Sequence, residues 1–105
     1  MVATVTVLYP TPDLEFNMEY YLSTHMPLVF SKWLSYGMKE WKVVKFEDSP
    51  DGTKPYSVAA VMTWESMDAL KTALKGKEVE VIFGDVPNFS NKYALFLNGE
   101  VVGES

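Results

Sequence analysis

The nine residues Tyr56–Trp64, YSVAAVMTW, limit the fold of this chain more than any other stretch. They are rich in β-branched and aromatic residues, have the length of a strand, and are apolar on both faces. Val58, Ala60, Met62 and Trp64 alternate to one side, Ala59 and Val61 to the other. The stretch YALFLNGEVV, Tyr93 to Val102, has the same property, with Ala94 and Phe96 on one side and Leu95 and Leu97 on the other. An antiparallel sheet covered by helices on one face normally turns a polar second face to water. Here the second face is apolar too and needs a cover, so a second copy of the sheet is expected to supply it, as a homodimer.

The remaining elements follow from periodicity and punctuation. Ala3–Tyr9 alternates Thr with Val and closes at Pro10, which cannot continue a ladder. Apolar side chains then recur at helical spacing through Met18, Tyr21, Leu22, His25, Val29 and Trp33, and Gly37 ends that helix. Pro27 has no N–H to donate and disfavours α geometry at Met26, so the helix is expected to bend or restart near Thr24–Pro27. Lys39–Phe46 reads as a second strand, with Trp41 and Val43 on one face and Val44 and Phe46 on the other. Ser66 is the expected N-cap of a helix running to Lys75, with Met67, Leu70, Ala73 and Leu74 on its buried side. Between Lys77 and Asn91 the pattern stays open: EVEVIF alternates like a strand, and GDVPNFSN has loop chemistry. The order β-α-β, β-α-β predicts an α+β fold, a ferredoxin-like βαββαβ sandwich with a four-stranded antiparallel sheet, in one domain over residues 1–105.

Composition removes several function classes. The net charge of −5, with nine lysines scattered along the chain, leaves no basic stripe, so nucleic acid is not an expected partner. With no cysteine there is no disulfide, thiolate metal site or Cys nucleophile. No apolar run approaches a membrane span, and MVATVTVLYP lacks the basic start of a leader, so a cytoplasmic protein is expected. Phosphate-binding and dinucleotide-binding glycine motifs are absent, and no spacing suggests a metal site.

His25 is the only histidine and can serve as acid or base near neutral pH; Tyr21, four residues earlier, lies on the same helical face. The competing structural reading makes His25 a cap for a carbonyl freed by Pro27, with Ser23 and Thr24 as caps beside it. Tyr20, Tyr21, Trp33, Trp41, Met62, Trp64 and Phe89 are candidates to line a cavity for a small apolar or aromatic molecule, although such residues more often fill a core. Asp85, in FGDVPNF, sits in turn chemistry where a carboxylate commonly bonds its own backbone.

The segment F-x-M-x-Y-Y-L-x-T-H-M-P-L-V from Phe16 to Val29, the opening VTVLYP, and D-V-P-N-F at Asp85–Phe89 resemble the EthD family, named after a component of a bacterial ethyl tert-butyl ether degradation system. The resemblance spans nearly the whole chain. It implies a dimeric α/β barrel of two ferredoxin-like subunits packed sheet to sheet, with a cavity between each sheet and its helices or loops. On matching positions it implies Tyr21, His25, Asp85 and Phe89 as pocket residues. Relatives on this barrel include cofactor-independent monooxygenases, isomerases, cyclases, haem-degrading enzymes and proteins of no known activity. Two expectations follow. One is an enzyme, of monooxygenase, isomerase or cyclase type, in which His25, oriented by Tyr21 or Asp85, moves a proton without a cofactor during oxidation, isomerisation or ring closure of a small apolar molecule, in oxidative degradation of organic compounds. The other is a non-catalytic ligand-binding or accessory protein for a partner oxygenase. Haem ligation through His25 ranks well behind both.

Overall fold

The computed structural model describes residues 2–105. Four strands, β1 (Ala3–Pro10), β2 (Met38–Lys45), β3 (Tyr56–Trp64) and β4 (Leu95–Glu100), form one antiparallel sheet in the order β2-β3-β1-β4. Helical segments α1 (Met18–Tyr20) and α2 (Met26–Trp33) follow β1, and α3 (Met67–Leu74) and α4 (Glu78–Gly84) follow β3. This is the ferredoxin-like α+β arrangement, with helices covering one face of the sheet.

Period-2 alternation is realised without slip in the centre of the sheet. Ala3, Val5, Val7 and Tyr9 of β1 are buried against the helices, in register with Trp64, Met62, Ala60 and Val58 of β3. The opposite face is open and is apolar toward one end, giving way to the polar row of Glu40, Thr63 and Thr4 at the other. Val44, Ala59, Leu8 and Leu95 form one row across all four strands, and Lys42, Val61, Thr6 and Leu97 the next. Val44, Leu95 and Leu97 stay 41–50% exposed there, an unusual position for three large aliphatic side chains.

Ser66 caps α3 by accepting a 3.0 Å hydrogen bond from the Ala69 N–H, and Leu70 and Ala73 are buried beneath it. Gly37 closes the first helical stretch with φ +123°, a conformation that side chains disfavour, and a Cβ there would meet the Glu65 side chain at 2.9 Å. The segment left open by the sequence is helical: Val79, Ile82 and Val86 turn inward at spacings of three and four, while Val81 and Phe83 stay exposed. The last strand is shorter than its apolar pattern, because Tyr93 and Val102, each 87% exposed, lie outside the ladder.

Pro27 does more than bend the helix. Between α1 and α2, residues Tyr21–His25 form a π-helical turn, in which the Met26 N–H reaches back five residues to the Tyr21 carbonyl. Pro27 offers no N–H for the Ser23 carbonyl, so the narrower ladder cannot run through this point, and the wider turn takes its place.

Candidate functional site

The turn that Pro27 forces presents Tyr21 and His25 together: both are buried, and their rings stack at 5.3 Å with planes 14° apart. A second segment is tied against the start of this helix. The Asn17 N–H bonds the Phe89 carbonyl at 2.8 Å, the Asn91 N–H bonds the Glu15 carbonyl, and Asn91 Oδ1 accepts from the Glu15 N–H. These bonds seat Phe89 under the histidine, with ring centroids 4.4 Å apart, and bring Asp85 beside it.

Asp85 is the hub of a hydrogen-bond network. Its Oδ1 accepts from the Tyr20 hydroxyl at 2.6 Å and from Asn88 Nδ2 at 2.9 Å; its Oδ2 lies 2.9 Å from His25 Nδ1. Burial works to raise the Asp85 carboxyl, but the bonds from Tyr20, Asn88 and His25 outweigh it and hold it below its ordinary value. Two of those donors are neutral, so the carboxylate does not depend on a charged histidine. An ionised carboxylate only accepts, so His25 donates Nδ1–H and keeps the lone pair on Nε2. Burial among aromatic rings pushes the His25 pKa down, and the Asp85 hydrogen bond and charge offset only part of this. The imidazole is therefore neutral at pH 7: a base with its tautomer set by a carboxylate, the arrangement used for general-base work.

His25 faces a cavity of about 360 Å³ between the sheet and the helices, within the range of small-molecule sites. Tyr9 and Tyr21 line the same end. Burial pushes the Tyr9 phenol up to about 12 and Tyr21 further still, so both remain hydrogen-bond donors. The other walls are mainly aliphatic and aromatic, from Val5 and Val7 of β1 to Ile82 of α4, and no charged side chain lines the cavity.

Of the residues singled out from the sequence, Tyr21, His25, Trp33 and Met62 line this cavity. Tyr20, Asp85 and Phe89 surround His25 from behind. Trp64 is fully buried beneath Trp33, and Trp41 is half-buried on β2; neither borders the cavity. His25 bonds a carboxylate rather than a freed carbonyl, and it makes no side-chain cap. Ser23 and Thr24 meet each other at 3.4 Å and do not cap the turn. Asn88 and Tyr9 escape sequence reasoning. The Asp85–Asn88 spacing of three is the one sequence signal that would find Asn88 once a short helical turn is placed there. Among the described residues no group of three or more His, Asp or Glu side chains could hold a metal ion, and no helix is long and apolar enough to cross a membrane.

The histidine's condition gives the network a pH signature. The folded state disfavours the imidazolium, so between the lowered folded pKa and about 6.5 the unfolded chain binds more protons, and stability falls with falling pH. Urea midpoints should be level above about pH 6.5, decline below it, and lose that first decline in His25→Gln; Asp85 and Asp51, both held low by hydrogen bonds, add a second decline below about pH 4. A wild-type profile flat from pH 7 to 5 would contradict a buried neutral histidine.

No family model matches the chain, and no curated protein matches it. Solved structures do. An EthD-like protein from Ralstonia eutropha superposes with a TM-score of 0.85 at 25% identity, covering 99% of this chain and 95% of its own. An ethyl tert-butyl ether degradation (EthD) family protein from Bacillus halodurans gives a TM-score of 0.76 at 24% identity over 97% of this chain and all of its own. A dimeric ferredoxin-like protein of unknown function from Jannaschia shares the fold at a TM-score of 0.64 and 15% identity, over 95% of this chain and 98% of its own.

Proposed function

The chain belongs to the EthD family, and from that premise we propose that it binds a small, uncharged, largely apolar molecule and moves a proton on it, with His25 as the base. The observation that carries this is the His25 Nδ1–Asp85 Oδ2 bond of 2.9 Å behind a histidine that faces an apolar cavity. Nε2 takes a proton from a carbon or hydroxyl of the ligand. The electron pair left behind moves onto an oxygen, which a phenol of the Tyr9–Tyr21 pair can meet with a hydrogen bond. Asp85 orients the ring and stabilises the imidazolium that forms, while Tyr20 and Asn88 hold Asp85 in place. Proton removal of this kind begins isomerisations, ring closures and reactions of activated substrates with oxygen, and the chain's own residues supply it without a cofactor.

Deuterium exchange into β-tetralone, an aromatic ketone with acidic α-hydrogens, tests this reading by NMR in D₂O. Wild type should accelerate exchange over buffer, and His25→Gln should lower the enzyme-dependent rate by about 10²-fold or more. Binding of the ketone without exchange would leave a ligand-binding or accessory protein, the second reading that the apolar walls support. A Soret band on haem addition that His25→Ala abolishes would replace proton transfer with axial ligation.

We also propose that the open face of the sheet is the homodimer contact. The apolar row Val44–Ala59–Leu8–Leu95, continued by Val61 and Leu97 in the next row with Lys42 at its edge end, supports this, as does the likeness to a protein described as dimeric.

A further inference from the structure

β1 pairs Val5 with Asn98 and Val7 with Phe96, so both β4 side chains lie on the helix-covered face of the sheet and border the cavity. Asn98 is out of character there. Every other cavity-lining side chain on this face is apolar except Tyr9, and Tyr9 stands at the far end of β1. Asn98 is exposed on an edge strand, and its carboxamide makes no hydrogen bond among the described residues. Beside it Phe83 and Phe96 meet edge to face at 5.5 Å, and they are 40% and 46% exposed, so this end is the mouth of the cavity. The deep end holds His25, Tyr9 and Tyr21, all 5% exposed or less. The Tyr9 and Val5 rows lie four residue steps apart, about 13 Å along β1.

We infer that Asn98 is a specificity-determining residue that reads a second, neutral polar group on the ligand at the mouth of the cavity, separated by an apolar spacer from the group at His25. This rests on the cavity being the binding site proposed above. A carboxamide both donates and accepts, so it suits a hydroxyl, carbonyl or amide. No charged side chain lines the cavity to favour a carboxylate or an ammonium group. The ligand class is thus an elongated molecule, polar at both ends and apolar between them.

Calorimetric titration with para-hexylphenol and its ω-hydroxy analogue tests this, because the two differ only in the distal group. The ratio of their dissociation constants should shift by about five-fold against the ω-hydroxy analogue on going from wild type to Asn98→Leu, the worth of one neutral hydrogen bond. Affinity for para-hexylphenol should be kept or improved, which guards against a misfolded variant. Asn98→Thr, suited to a strand and still carrying a hydroxyl, should retain part of the preference. An unchanged ratio with both probes bound would overturn the role of Asn98 and leave the cavity site standing. Failure of the ω-hydroxy analogue alone to bind wild type would likewise overturn only the role of Asn98, and failure of both probes would overturn the cavity site as well.

Discussion

Phe89→Ala should lower the unfolding free energy by about 3–5 kcal/mol, the cost of emptying a buried phenylalanine site. Phe89 is 3% exposed, with ring centroids 4.7 Å from Tyr21, 4.4 Å from His25 and 5.4 Å from Phe16. No neighbouring segment can collapse into the gap easily, because the backbone around it is pinned by the Asn17–Phe89 and Glu15–Asn91 bonds. At this chain length such a loss lowers the melting temperature by well over 10 °C. It should also free the histidine ring, since Phe89 packs against it from behind. Loss of burial would move the His25 pKa back up toward its ordinary value, and an NMR titration of the single imidazole reads this directly. Phe89→Leu keeps most of the apolar volume and should cost about 1.5 kcal/mol or less. Denaturant unfolding at fixed protein concentration is the measurement; a loss below about 1 kcal/mol for the alanine variant would show that the aromatic cluster repacks and does not hold His25 in place.

The two-faced character of β3 and β4 was legible because alternation has a period of two, and the observed register puts Val58, Ala60, Met62 and Trp64 on the helix side as their spacing requires. The Ser66 cap was legible for an equally local reason. EVEVIF was not: Val79 and Val81 fit a strand, Val79, Ile82 and Val86 fit a helix, and only packing against the sheet decides between the two periods. Pro27 announced an interruption but not its form, since bending, restarting and widening all remove the same N–H. The pairing of His25 with Asp85 joins residues sixty apart, and no spacing rule reaches that far. Asp85 was a candidate through family resemblance alone. Asn98 was passed over for a subtler reason: alternation already put it on the face of Ala94 and Phe96, but only the pairing with Val5 and Val7 shows that this face borders the cavity.

Leu97→Lys should convert the protein from twice to once its chain mass of 11.9 kDa in size exclusion with light scattering at micromolar concentration. Leu97 is 50% exposed and sits in the outer row with Thr6 and Val61, between the apolar row of Leu95 and the strand end at Gly99. Burying the exposed half of an aliphatic side chain of this size is worth about 1 kcal/mol, and a two-fold axis repeats each substitution in both subunits. The variant loses that contribution twice and adds the desolvation of two like charges, so dimer affinity should fall by about 10³-fold or more. The monomer itself should still fold, because Leu97 faces away from the helix-covered core. Val81→Lys is the matched control: Val81 is 49% exposed on α4, on the other side of the molecule, and should leave the dimer mass unchanged. A wild type already at monomer mass would remove the sheet-to-sheet contact outright. Dissociation by Val81→Lys but not by Leu97→Lys would move the interface to the helical layer, and the exposed rows of the sheet would then need a different cover.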